Sequence, residues 1–147
     1  MTTTNSDMGF SRYYFKGHNF LLTKVSGKIA VDDLLQHVMA VNKEMAGKIN
    51  LRQLTDCRNI TDLQSLSVKD ATNCAQREIN KPGCLLAIVV PESPIFFGMA
   101  RAYAMFAEDH RGEVQIFQNI HDALEWLAND PEEINILTDF VESVSTE

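Results

Sequence analysis

The 147-residue chain predicts a single α/β domain, a mostly parallel sheet with helices on its faces. Three observations carry this. Two strand patterns are followed by helix and strand patterns in alternation, which calls for right-handed crossovers. The run "CLLAIVV" is apolar on both faces, as a central strand covered by helices on each side must be. Finally, a chain of this length with 45% hydrophobic residues suffices for one well-packed core and is too short for two ordinary ones.

Taken in order, residues 1–10 ("MTTTNSDMGF") show neither alternation nor a basic, then apolar, leader pattern, and are expected to form a disordered tail. The domain then spans residues 11–147. "RYYFKGHNFLLTKVSG" reads as two strands around the turn Lys16-Gly17-His18-Asn19. Val31, Leu34, Leu35, Val38, Val41 and Met45 form a helical stripe with Asp32 and Asp33 in its first turn. "INLRQLTDC" alternates imperfectly and is read as a strand. "SVKDATNCAQREINK" is read as a helix, with Ser67 as N-cap and Asp70 three residues on. Ser93 and Pro94 open the next helix, "EVQIF" is a strand, and Asp130-Pro131 open the last helix.

The stretch "EVQIFQNIHDALEWLAND" contains a histidine and an aspartate that could suggest a site. Capping accounts for both. Asn119 stands where an N-cap belongs, Asp122 favours the helix dipole, and His121 faces away from the buried row beside Glu125.

The formal charge of −7 is unevenly placed: eight acids and no Lys or Arg follow residue 120, leaving 12 acids against 13 bases before it. No basic face for nucleic acid results, and the acidic end is read as a solvated surface. The longest apolar runs are far too short to span a bilayer. Cys57, Cys74 and Cys84 are odd in number and lack C-x-x-C spacing, which favours buried, reduced thiols in a cytoplasmic protein and neither a disulfide framework nor a metal site. Nucleotide loops, the G-x-S-x-G elbow and paired metal histidines are missing, so no catalytic residue is assigned and no cofactor is expected.

The segments "VSGKIAVDDLLQHV", "LRQLTDC", "CLLAIVV" and "VQIFQNIHDALEWL" together resemble the SpoIIAA-like, STAS/SEC14-type small bacterial proteins. The resemblance runs from about Tyr13 to Asn129 through Gly27, Lys28, Ile29, Asp56, Phe117, Ala123, Trp126 and Leu127. It implies a STAS-like, four- to five-stranded, mainly parallel sheet flanked by helices, and a binding or regulatory module in place of an enzyme. Anti-sigma-factor antagonists of this fold carry Asp-Ser-Ser-Gly where this chain has "DLQSLSVKD". Ser65 and Ser67 occupy that neighbourhood as possible phosphorylation sites, although Ser67 is equally accounted for as a cap.

Two candidate surfaces remain. At the carboxyl ends of the strands, Asp56, Arg58 and Asn59 would converge with Glu92 and Ser93, where open sheets bind ligands. Beside them, "SPIFFGMARAYAMFAE" carries two apolar stripes. Phe96, Met99, Ala100, Tyr103, Phe106 and Ala107 can pack on the sheet. Ile95, Gly98, Ala102 and Met105 form a second stripe, which either the last helix covers or a second partner does. A regulatory or protein-interaction module that dimerises through this second stripe, and a carrier-like module that holds an apolar small molecule near Phe96, Phe97 and Tyr103, are the two functional expectations.

Overall fold

The computed structural model describes residues 2–7, 9–63, 66–79, 82–108 and 112–145. Its elements are β1 (Thr2–Asp7), β2 (Phe10–Phe15), β3 (Phe20–Lys28), α1 (Val31–Glu44), β4 (Arg52–Asp62) and α2 (Val68–Ala75), followed by β5 (Leu85–Val89), α3 (Pro94–Glu108), β6 (Glu113–Phe117), α4 (Ile120–Leu127) and α5 (Pro131–Ser145). The six strands lie in sequence order across one sheet. β1, β2 and β3 are antiparallel neighbours, while β3 to β6 pair in parallel.

This order dictates the layers. Each parallel connection is right-handed, and the strands advance in one direction, so α1, α2 and α3 must lie on the same face. The other face would stay bare without α4 and α5. There Leu124, Leu127, Leu137 and Phe140 bury Phe20, Leu22, Leu54 and Val89. On the first face, Ala100, Ala104 and Ala107 of α3 pack on Leu86, Ile88 and Val114, their small side chains allowing close approach. β5 sits between β4 and β6 and is parallel to both, as its two-sided apolar character requires.

Three expectations are corrected. Residues 2–7, read as tail, form an edge strand paired with β2 from Thr2↔Phe15 to Asp7↔Phe10; the backbone ladder supplies the pairing that polar side chains do not advertise. The sheet thus has six strands, one more than the upper expectation. β4 continues to Asp62, beyond its last pairing with β5 at Asp56↔Val89. Along this extension it pairs with β3 alone and is irregular, with Lys24↔Asp56 followed by Ser26↔Asn59 and a second shift after Gly27. Gly27 has φ 82, a left-handed value that favours glycine at that shift. Lastly, α2 ends at Ala75. Its closing turn tightens through Arg77 N–H to Cys74 O and Glu78 N–H to Ala75 O.

Local capping chemistry follows the sequence. Ser67 Oγ accepts from Asp70 N and the Asp70 carboxylate accepts from Ser67 N, each at 3.1 Å. At α4, Asn119 Oδ1 accepts from Asp122 N at 2.8 Å, and the Asp122 carboxylate takes the Asn119 side-chain amide at 3.0 Å in place of the cap backbone N–H. His121 is exposed and lies 3.2 Å from Glu125. Asp122→Ala should therefore cost about 1 kcal/mol or less in a denaturant melt. A larger loss would give Asp122 a role beyond capping.

Two buried ion pairs tie the layers together. Arg12, 2% exposed, donates Nε and Nη2 to the Glu44 carboxylate at 2.9 and 2.7 Å, joining β2 to α1. Arg52 donates to both Glu133 oxygens and to the carbonyls of His18 and Leu127. His18 Nδ1 lies 2.9 Å from Glu133, and Asn129 N–H also donates to it. This clasp holds the start of α5 against the amino end of β4.

Candidate functional site

An apolar cavity of about 120 Å³ lies between the sheet and helices α1, α2 and α3. Its position follows from the fold. α1 packs over β2 and β3 and α3 over β5 and β6, while the short α2 leaves the space above β4 incompletely filled. Leu34, His37 and Val38 form the α1 wall, and Leu86, Ile88 and Val90 the β5 wall. On α3, Phe96, Met99, Ala100 and Tyr103 face it. Ile29, Ile60, Leu63 and Leu66 line its end at the carboxyl side of the sheet, where open α/β sheets commonly receive ligands.

Few polar groups interrupt this lining. Gln53, Thr55 and Cys57 succeed one another along β4. The Tyr103 hydroxyl donates to the Glu78 carboxylate, linking α3 to the segment after α2. His37 is 7% exposed and stacks on Phe10, with ring centroids 4.4 Å apart and planes at 10°. Burial, and then the adjacent Asp56 carboxylate, push the Cys57 thiol up to about 12. It is a thiol at neutral pH, without the thiolate that nucleophilic chemistry requires.

The residues singled out from sequence separate into three places. Phe96 and Tyr103 line the cavity, while Phe97 is 38% exposed with the Arg101 guanidinium 5.9 Å above its ring. Asp56 and Arg58 do not join them. They lie on the face of β4 shared with Leu54 and pair with each other, Arg58 Nε and Nη2 at 2.9 and 3.0 Å from the Asp56 oxygens. That bond raises the Arg58 pKa further. Asn59 and Glu92 are exposed, and Ser93 serves α3 by accepting the Phe97 N–H on its carbonyl. Asn59 stands on the continuation of β4 beyond its last pairing with β5, where the strand was expected to end.

The second stripe of α3 is uncovered. Ile95 and Met105 are 73% and 67% exposed. Gly98 is exposed with open space beside it, and Ala102 is half-buried. α5, which could have covered this stripe, packs on the opposite face of the sheet. Phe106, assigned to the packed stripe, is 37% exposed, and Ala104 takes its place against the sheet. Ser67 is the cap of α2, and Ser65 lies outside the described residues. Among the described residues no helix is long and apolar enough to cross a membrane.

Sequence reasoning missed the cavity's polar side chains: His37, Gln53, Thr55, Cys57 and Glu78. A usable signal existed in Gln53 and Thr55, two polar positions at alternate places in a strand whose remaining pattern demands burial.

No family model and no curated protein matches the sequence. Among solved structures, an uncharacterized DUF3478-family protein from Shewanella loihica with a SpoIIAA-like fold is similar over 87% of this chain and 93% of its own, with a TM-score of 0.50. The two are 20% identical, a likeness that carries the fold and no function.

Proposed function

We propose that this SpoIIAA-like fold serves as a non-catalytic binding module that shelters a small apolar ligand between the sheet and α1–α3. The carrying observation is the cavity itself, with its largely apolar lining and the aromatic α3 wall of Phe96 and Tyr103. Native cores are packed with few voids larger than a water molecule. Apolar side chains lining such a space are left in contact with water, which an apolar occupant would displace favourably. The protonated Cys57 thiol supports a binding role over nucleophilic catalysis. The three unpaired cysteines support a reducing, cytoplasmic setting.

Toluene tests the cavity. At about a hundred times its dissociation constant a ligand of the folded state adds about 2.7 kcal/mol. Each kcal/mol raises Tm by about 2–4 °C in a chain near this size. Thermal unfolding should therefore move up by several degrees. An unchanged Tm across the titration would remove the cavity as a binding site.

A second reading, association of two copies through α3, is favoured by the exposure of Ile95 and Met105 around the Gly98–Ala102 notch. The wild type should then sediment as a dimer and Ala102→Glu as a monomer. A monomeric wild type excludes it.

A further inference from the structure

Glu78 is the only Asp, Glu, Lys or Arg among the described residues that line the cavity. It is half-buried and sits at the rim, in the turn that closes α2, where its N–H donates to Ala75 O. Its neighbour Arg77 is exposed and takes no part in the lining. The Tyr103 hydroxyl donates to Glu78 Oε2 and so fixes the carboxylate against the α3 wall. A carboxylate offers about four acceptor sites, and one bond from Tyr103 does not exhaust them. Aromatic rings share the same space, for Phe10, Phe96 and Tyr103 all line it. The faces of such rings attract cations.

We propose that the ligand is a small apolar cation, an alkyl or aryl ammonium, whose hydrocarbon body enters the cavity while its charge stays at the rim beside Glu78. This inference rests on the apolar-ligand role proposed above and names its chemical class. Size sets the body. An apolar cavity of about 150 Å³ holds a benzene molecule, so about 120 Å³ suits a single ring or a chain of similar bulk. Charge sets the head. A carboxylate ligand would meet Glu78 with like charge and find no Lys or Arg in the described lining. An ammonium meets an opposite charge that Tyr103 already positions, and the half-buried setting spares it full desolvation. The chain's net charge of −7 also favours the approach of a cation over an anion.

Benzylammonium, benzyl alcohol and benzoate carry one ring with a positive, neutral or negative head, and toluene carries the ring with no polar head. Each is titrated at pH 7 against the ¹⁵N-labelled full chain, following backbone amide shifts, for the wild type and Glu78→Gln. Glutamine keeps an oxygen for the Tyr103 hydroxyl and removes the charge. Benzylammonium should bind the wild type about tenfold more tightly than benzyl alcohol, and benzoate should not saturate. Glu78→Gln should abolish the preference for benzylammonium while leaving toluene affinity unchanged. Benzyl alcohol equal to or tighter than benzylammonium, saturable benzoate binding, or a benzylammonium preference that survives Glu78→Gln would overturn the ligand class and leave an apolar binding cavity standing. Loss of toluene binding in Glu78→Gln would make Glu78 a part of the cavity wall and overturn its role as counter-charge. Saturation by neither toluene nor benzylammonium would overturn the binding role itself, and the ligand class with it.

Discussion

Glu133→Ala should destabilise the protein by about 3–5 kcal/mol, because it strands the buried Arg52 guanidinium without its counter-charge. Arg52 is 8% exposed, and the Glu133 carboxylate also meets His18 and the Asn129 amide, so a single truncation removes the junction between β4, the turn after β2 and α5. Chemical denaturation at pH 7 measures the loss. The same carboxylate carries a pH signature. Hydrogen bonds from Arg52, foremost, lower its pKa from 4.5 to about 2 against the opposing effect of burial. Between those values the unfolded chain binds a proton that the folded chain refuses, so stability falls as pH falls. The contribution is fully present above about pH 4.5 and lost on approaching pH 2. The gap between wild type and Glu133→Ala should accordingly narrow over that range. A gap of constant size would mean that the ion pair is not its source.

Ala100→Leu should produce the largest functional effect. Ala100 is 8% exposed on α3 and lines the cavity, and leucine adds three heavy atoms directed at the same space. Very small ligands gain up to about 1.5 kcal/mol per heavy atom. Excluding two of the seven heavy atoms of toluene would then cost about 3 kcal/mol, or about a hundredfold in affinity. Overpacking should change stability by about 1–3 kcal/mol at most, leaving the variant folded. Calorimetric titration of both proteins makes the comparison. Unaltered toluene affinity in Ala100→Leu would place the binding elsewhere.

What could be read from sequence was local. β5 was legible because seven consecutive apolar residues admit only a covered strand, and the start of α4 because Asn119 and Asp122 are capping chemistry at fixed spacing. β1 was illegible because Thr2–Asp7 carries no apolar alternation and is held by the backbone of β2. The extension of β4 was hidden for a related reason. Arg58, Asn59, Thr61 and Asp62 have turn-like chemistry, which an overhanging strand paired on one side tolerates. Of the functional candidates, the aromatic character of α3 was visible and the void beneath it was not. A cavity is the residue of packing between seven elements, and no spacing in the chain brings His37, Thr55, Glu78 and Tyr103 to one place.

Crystals of the full chain equilibrated under xenon would locate the ligand space itself, since xenon occupies apolar cavities of this size. One ordered xenon atom is expected in contact, at about 4 Å, with Ile88, Phe96 and Tyr103. A cavity closed by collapse of α3 onto Thr55 and Cys57, with no xenon between them, would contradict it.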